Sequence, residues 1–272
     1  MFIYRFIRLF SCGDHKVIEL IAIPFLACLV LVLIHGYFGA FVLRRGIIFI
    51  DLALAQWAAL GYLIGHWLGV ESPASLFLIA FTGTLLASLI LVGLKPFYEK
   101  VNLQEASIGV MYIFATTVAT ALISSTGMEG HHLKDMLSGH LLFIQPAEIF
   151  SAIILYTLIG GILYKVHHRL LSAKSRGWDF IFYSLFGLVV TSSVKMVGVL
   201  LVFSFLVIPL LTVRLFTTNF KTQLLSGWLI GSIGSVIGII LAISIDIPLS
   251  LSIILAYMGC FFTGVLIKSY RA

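Results

Sequence analysis

The sequence predicts an all-α protein, a polytopic transmembrane helical bundle with eight or nine spans. Three observations predict this class. Of the 272 residues, 61% are hydrophobic and only 10% are charged, whereas soluble domains carry about 25% charged residues. The mean hydropathy is +1.14. Long runs without Lys, Arg, Asp or Glu recur along the whole chain, and such runs are typical of membrane helices.

Each uncharged run is a candidate span, because a helix needs about 20 apolar residues to cross a hydrocarbon core of roughly 30 Å. One run, Phe180–Val194, would reach only about 22 Å at 1.5 Å per residue. Lys195 separates it from the next run, so this region is either two helices or one helix with a re-entrant piece. In chain order the runs are Leu20–Leu43, Leu52–Val70, Pro73–Leu94, Ala106–Met128, Ile149–Tyr164, Phe180–Val194, Met196–Val213, Thr222–Ile245 and Ile247–Ile267.

The basic residues predict the orientation in the cytoplasmic (inner) membrane, because Lys and Arg concentrate in cytoplasmic loops. The net charge of +6 therefore indicates topology and not nucleic-acid binding. Loops that carry acids, around Glu71 and Asp246, are then expected outside. The basic clusters expected in the cytoplasm are Arg44–Arg45, Lys95/Lys100, Lys165/Arg169/Lys174/Arg176, Arg214/Lys221 and Lys268/Arg271.

We expect one transmembrane domain over residues 1–272, with residues 1–16 as a candidate interfacial segment. Arg5 and Arg8 interrupt the apolar residues of that segment, which is unlike a signal peptide. The sequence contains no GxxxxGK[ST] phosphate-binding loop. If ATP drives this protein, the ATPase is therefore another chain.

A carboxylate and an amide occur inside the second span, RRGIIFIDLALAQWAALGYLIG (44–65). Ionisable residues within membrane helices are costly and usually mark a pathway or binding site. Asp51 is therefore a candidate pathway residue, with Gln56 as a candidate second ligand. The alternative is that Asp51 is a buried helix-end group paired with Arg44 or Arg45.

A second group of candidate metal ligands lies in the outward segment GMEGHHLKDMLSGHLLF (127–143). If this segment is helical, Asp135 shares a face with His131 and with His132, because residues three or four apart are neighbours. These side chains could form an entry gate or a first landing site for an ion. The alternative is a solvated polar loop. His35, inside the first span, is expected to be a packing histidine.

Several segments resemble one family in the same order along nearly the whole chain. VGVLLVFSFLVIPLLTVRL (197–215), DIPLSLSIIL (246–255), GYFGAFVLRRGIIFIDLALAQWAALG (36–61) and EASIGVMYIFATTVATALIS (105–124) are similar to segments of membrane permeases from the zinc/manganese/iron class of ABC importers. The resemblance implies a type II ABC importer-like fold and a homodimeric channel. It also implies cytoplasmic ABC ATPase subunits and an extracytoplasmic metal-binding protein as partners, with no permanently bound cofactor.

In that family an Asp and a His lie four residues apart on the second helix, and this chain departs from the pattern. Gln56 falls near the histidine position, five residues after Asp51, which is about 140° around an ideal helix. A π-bulge would bring the two side chains together. Carboxylate and amide oxygens suit a hard ion such as manganese better than zinc.

The short basic segment RLFTTNFKTQLLSG (214–227) is, by the same resemblance, where the ATPase would engage. Phe216 and Phe220, four apart, could share one helical face and fill a groove on a partner, flanked by Arg214 and Lys221. The alternative is an amphipathic connector without that role.

The sequence thus predicts a non-enzymatic permease subunit of an ATP-driven importer for a divalent transition metal: zinc, manganese or iron. A polytopic intramembrane enzyme and a self-sufficient secondary transporter remain alternatives. The first is disfavoured because neither HExxH nor GxSxG occurs. The second would need inverted repeats with matching broken helices.

Overall fold

The computed structural model describes residues 15–101, 103–126, 139–172 and 175–271, and all regular structure in these ranges is helical. The predicted interfacial segment lies outside them, apart from His15 and Lys16, which begin the first helix. A 3-10 turn covers Leu141–Phe143. The α-helices are α1 His15–Arg45, α2 Ile50–Trp67, α3 Pro73–Val101, α4 Gln104–Thr126, α5 Pro146–Ser172, α6 Arg176–Val197, α7 Val199–Arg214, α8 Phe220–Ile245 and α9 Leu249–Arg271.

The span prediction agrees with these helices. Among the described residues, seven helices are long and apolar enough to cross a membrane: α1, α3, α4, α5, α6, α8 and α9. Helix α7 is apolar but shorter, and α2 is an 18-residue helix that includes two buried polar side chains. The short sixth run and its successor are two helices, α6 and α7. Gly198 separates them with a φ of 82°, a conformation that glycine adopts readily.

Helix ends from distant parts of the chain meet at one end of the bundle. Arg45 at the end of α1 lies against Asp179 at the start of α6, and Lys95 near the end of α3 reaches the same carboxylate. Lys268 near the end of α9 donates a hydrogen bond to the carbonyl of Leu215, just after α7. The predicted cytoplasmic clusters therefore share one side of the molecule, as alternating spans require.

Helix α2 lies inside the bundle and packs against α3, α4, α6 and, more briefly, α7. Two glycines allow α2 and α3 to approach closely. A Cβ atom on Gly83 would lie 2.4 Å from the carbonyl oxygen of Trp57, and one on Gly61 would lie 2.7 Å from that of Ile79. The indole of Trp57 fixes the opposite side by donating to the carbonyl of Met111 on α4 at 3.1 Å.

Gly83→Val is expected to push α2 away from α3 and to lower the thermal stability of the purified protein. Overpacking of this kind costs about 1–3 kcal/mol. Gly93→Val is the matched control on the same helix, because a Cβ there meets nothing within 4 Å. Equal melting temperatures for the two variants in detergent would contradict the close approach of α2 and α3.

Candidate functional site

Asp51 occupies the first turn of α2 and is fully buried. Neither carboxylate oxygen has a hydrogen-bond partner among the residues that the structure describes. At the N-terminus of α2 a different acid accepts a backbone hydrogen bond: the N–H of Phe49 donates to Glu105 Oε1 at 3.0 Å. A buried charge without a partner is strongly unfavourable. No contact among the described residues therefore gives Asp51 a structural role that would offset the cost of burying its carboxylate.

Neither neighbouring arginine pairs with Asp51. Arg45 donates to Asp179 Oδ1 at 2.9 Å and to the carbonyl of Leu170 at 3.1 Å. Arg44 donates to the carbonyl of Thr218 at 3.5 Å, and its guanidinium lies 4.9 Å from the ring centre of Phe220. The alternative of an Asp51–arginine pair is therefore wrong in this conformation.

Gln56 is also buried, with 8% of its surface exposed, but the structure does not bring it to Asp51. Helix α2 is a regular α-helix from Ile50 to Trp67, without a π-bulge. Five residues therefore turn the Gln56 side chain about 140° away from that of Asp51. The π-bulge considered from the sequence is absent from α2, and a ligand role for Gln56 stays a prediction.

An ion-pair cluster that the sequence analysis missed joins the ends of three helices on the side predicted to be cytoplasmic. Asp179 accepts from Arg45 and from Lys95, and the three side chains are 9%, 20% and 11% exposed. The sequence offered one signal, a single acid following the basic 165–176 segment. Its partners could not be predicted, because they come from distant helices.

Asp179→Asn is expected to destabilise the protein by about 3–5 kcal/mol, because removing one member of a buried pair leaves the remaining charge uncompensated. The measurement is a thermal melt of the purified protein. Asp246→Asn serves as the control, since Asp246 is exposed and its positive φ of 60° suits Asn equally well. A melt of Asp179→Asn like that of wild type would show that the cluster carries little stability.

His35 is a packing histidine, as expected. Its Nδ1 donates to the carbonyl of Leu31 at 3.0 Å, and its Nε2 lies 3.1 Å from the hydroxyl of Ser193 on α6. The ring is fully buried, and both nitrogens are satisfied within the protein. It therefore joins α1 to α6 and has no nitrogen left for an ion.

The predicted landing site cannot be placed, because His131, His132 and Asp135 lie outside the described residues. The next histidine along, His140, is described: its backbone N–H donates to the carbonyl of Met196 at 3.3 Å. Gly139 packs directly on the α6–α7 junction, where an added Cβ would lie 2.1 Å from the carbonyl carbon of Val197. The segment that begins at Gly139 therefore packs on the Gly198 break between α6 and α7.

A cavity of about 600 Å³ opens beside this segment, between α2, α3, α5 and α6. Its walls include two imidazoles, two carboxylates and one ammonium group. Within the described part of the chain, no three His, Cys, Asp or Glu side chains are grouped closely enough to hold a metal ion. The charged and imidazole residues of the wall are His66, Glu71, His140, Glu148 and Lys195.

The connector between α7 and α8 differs from its prediction. Helix α7 ends at Arg214 and α8 begins at Phe220, with Asn219 Oδ1 accepting from the backbone N–H of Lys221 at 3.0 Å. The expectation that Phe216 and Phe220 share one helical face is wrong, because the chain between them is not helical.

The two phenylalanines consequently have different surroundings. Phe216 is 50% exposed. The ring of Phe220 packs inward, with its centre 5.4 Å from that of Phe41 and 5.2 Å from that of His167. Phe216 is thus available to a partner, whereas Phe220 anchors the connector to α1 and α5. Arg214 and Lys221 flank the connector at its two ends.

This fold and this site define a class of protein: a multi-pass membrane protein whose interior helix carries a buried carboxylate. The sequence comparisons give the family. The chain belongs to the ABC 3 transport family, whose sequence profile matches residues 17–268. The prediction of an ABC permease is therefore confirmed. Family membership also argues against the alternative of an intramembrane enzyme.

Two of the relatives are named for manganese transport. The manganese transport system membrane protein MntC of Halalkalibacterium halodurans is 23% identical over 242 residues, covering 84% of this chain and 80% of that protein. The manganese import system permease protein ScaB of Streptococcus parasanguinis is 20% identical over 235 residues, covering 82% of this chain and 81% of that protein.

A solved structure shows the same fold. PsaBC from Streptococcus pneumoniae, determined in complex with Fab, superposes with a TM-score of 0.74 at 20% identity. The match covers 96% of this chain and 95% of that one. The predicted all-α permease bundle is therefore confirmed.

Proposed function

We propose that this chain is the permease subunit of an ATP-driven importer of a divalent transition metal, and that manganese is the first candidate cargo. The observation that carries the proposal is Asp51: a fully buried carboxylate on the interior helix, with both oxygens lacking a partner among the described residues. A cation in transit would give these oxygens the partner that the protein does not supply.

Manganese is favoured by ligand chemistry and by the relatives. Carboxylate, carbonyl and water oxygens suit manganese, whereas imidazole suits zinc, copper and iron. Here the position near the family's histidine is Gln56, so no imidazole stands at that position beside the carboxylate oxygens of Asp51. The names of the two relatives above also specify manganese. Zinc and iron remain the other candidate cargoes.

The proposed mechanism assigns a different partner to each end of the bundle. We infer that two copies of the chain form the channel, that an extracytoplasmic binding protein delivers the ion, and that ABC ATPase subunits dock on the opposite side. The exposed Phe216 and the flanking Arg214 and Lys221 would contact the ATPase. Because ABC proteins use ATP, family membership favours this over a self-sufficient secondary transporter.

The test is metal accumulation in cells that lack their own uptake systems and express this chain with its ATPase and binding protein. Manganese, zinc and iron are measured together by elemental analysis. We expect manganese to rise, and we expect the rise to disappear when the ATPase is inactivated. No accumulation of any of the three metals would contradict the proposed function, and a fall in cell metal would indicate export.

A further inference from the structure

Helix α5 lies at the edge of the bundle, where it packs mainly against α1 and α6. Along its other side, four apolar side chains spaced four residues apart form an exposed row. The row consists of Phe150, Ile154, Leu158 and Ile162. From Phe150 to Arg169 the helix extends about 28 Å at 1.5 Å per residue, close to the hydrocarbon thickness of roughly 30 Å. This side of α5 is therefore suited to contact lipid acyl chains across the membrane.

Three basic side chains continue the row at the end of α5 that is predicted to be cytoplasmic. Lys165, His168 and Arg169 are all exposed. At about 100° per residue, they and the apolar row fall within one arc of about 120°. Tyr164, in the same turn, is also exposed, and tyrosine is enriched where membrane helices meet the headgroups. One side of α5 thus changes from apolar to basic at the membrane interface, and these three residues are called the basic face.

The charge of the basic face is not neutralised by the protein. Among the described residues, no carboxylate forms an ion pair with any of its three members. The acid at the start of the next helix, Asp179, is engaged by Arg45 and Lys95. Because those two cations outnumber the single carboxylate, the neighbouring cluster adds positive charge to this end of the bundle.

The first turn of α6 extends the basic face. The guanidinium carbon of Arg169 lies 5.5 Å from the ring centre of Trp178, a distance at which a cation is attracted to an aromatic ring. Tryptophan, like tyrosine, is typical of the membrane interface. Arg176, two residues before Trp178, is exposed and adds a further cation. A basic and aromatic surface therefore spans the ends of two helices.

Contacts on the inner side of α5 hold this end of the helix in place. Arg45 donates to the carbonyl of Leu170 at 3.1 Å, and the hydroxyl of Tyr37 lies 2.7 Å from Nδ1 of His167. Both partners on α5 lie next to members of the basic face. Because α5 is tied to α1 at this level, the basic face loses little conformational freedom when it binds a ligand.

We propose that the basic face binds the phosphate headgroup of an anionic phospholipid of the cytoplasmic leaflet, whose acyl chains lie along the apolar row of α5. Arg169 presents a planar fork that matches phosphate oxygens, and Lys165 supplies a second charge. An exposed imidazole such as that of His168 can donate a further hydrogen bond. Basic groups immediately cytoplasmic of a membrane helix attract anionic headgroups. The inference is independent of which ion the protein transports.

Two other occupants fit this surface less well. A second copy packed on the apolar row about a two-fold axis along the membrane normal would bring the two basic faces together, and like charges repel. An ATPase could pair acids with the basic face, but it would leave the apolar row, which continues the same surface into the membrane, without a partner. A phospholipid is amphipathic and matches both parts.

The experiment measures lipid binding by native mass spectrometry of the full-length chain purified with its ATPase in detergent. The probes are palmitoyl-oleoyl phosphatidylglycerol, which is anionic, and palmitoyl-oleoyl phosphatidylcholine, which has the same acyl chains and no net charge. We expect wild type to retain phosphatidylglycerol preferentially. Each cation near an anionic headgroup strengthens binding by about 5-fold. Arg169→Gln should therefore weaken phosphatidylglycerol binding about 5-fold, and Lys165→Gln/Arg169→Gln about 25-fold, without changing phosphatidylcholine binding.

Lys100→Gln is the matched control, because Lys100 is also exposed, near the end of α3 on the same side of the bundle, but is not part of the basic face. Equal retention of the two lipids by wild type would overturn the inference. Phosphatidylglycerol binding in Lys165→Gln/Arg169→Gln that matches wild type would do the same, as would an equal loss in Arg169→Gln and Lys100→Gln. If the double variant loses its ATPase but keeps phosphatidylglycerol, the basic face belongs to the ATPase interface and the lipid site is refuted.

Discussion

Asp51→Asn is expected to abolish metal accumulation while leaving the protein at its normal level in the membrane. The substitution keeps the shape of the side chain and removes its charge. Mutation of a residue that only supports a metal ligand typically lowers metal affinity or activity by about 10–100-fold. Loss of a ligand itself should therefore reduce uptake by more than about 10-fold. Elemental analysis of cells expressing the complete transporter gives the measurement.

The same variant separates a pathway role from a structural one. An acid that supports the fold, such as Asp179, should destabilise the protein when it is neutralised. Asp51 has no partner among the described residues, so its neutralisation removes the cost of an unpaired buried charge. We therefore expect the melting temperature of Asp51→Asn to equal or exceed that of wild type. Normal accumulation in this variant would exclude Asp51 from the pathway.

Gln56→Ala is the comparison variant, since Gln56 lies on the same buried helix but on a different side. A smaller loss of uptake than in Asp51→Asn is expected if the ion contacts the side of α2 that carries Asp51. An equal loss would mean that α2 changes its conformation during transport and brings the two oxygen ligands together.

The second large effect is expected for Phe216→Ala, which should weaken docking of the ATPase by about 10-fold and reduce uptake accordingly. Aromatic side chains at the centre of an interface commonly contribute 1–2 kcal/mol or more, and 1.4 kcal/mol corresponds to about 10-fold. The connector is also held in place before any partner arrives, because Arg44 and Lys268 donate to its backbone carbonyls. A preorganised surface loses less conformational freedom on binding.

Copurification of the ATPase with the tagged permease gives the measurement for Phe216→Ala. Phe150→Ala is the matched control, because Phe150 is also exposed, at 65%, but lies in the first turns of α5, at the end of the bundle opposite the connector. Equal ATPase recovery from both variants would place the docking surface elsewhere.

The order of the helices could be predicted from the sequence, because uncharged runs and basic flanks are local signals, although seven of the described helices, and not eight or nine, are long and apolar enough to span a membrane. The sequence leaves open whether the short run before Lys195 is a separate helix. Gly198 settles this point, because its positive φ ends α6 and begins α7. The helical connector was a wrong prediction. Four-residue spacing shows a shared face only where the chain is helical, and α7 already ends at Arg214.

The site was predictable in part. Asp51 could be chosen from the sequence because a carboxylate in an apolar span is unusual. Its missing partner could not be predicted, because Arg44 and Arg45 are near in sequence and only the tertiary structure directs them to Thr218 and Asp179. The cavity also depends on four helices and the segment before α5 coming together, and no single stretch of sequence shows it.

The interior position of α2 also has a consequence for biogenesis. This helix is not among the seven that are apolar enough by themselves to cross a membrane, and a carboxylate costs a few kcal/mol when a lone helix enters the bilayer through the translocon. During synthesis, α2 therefore depends on neighbours that arrive later, above all α3 and α4, to shield its polar residues from lipid. Ribosome-bound chains that end before α4 should leave α2 incompletely inserted and exposed to membrane quality-control proteases.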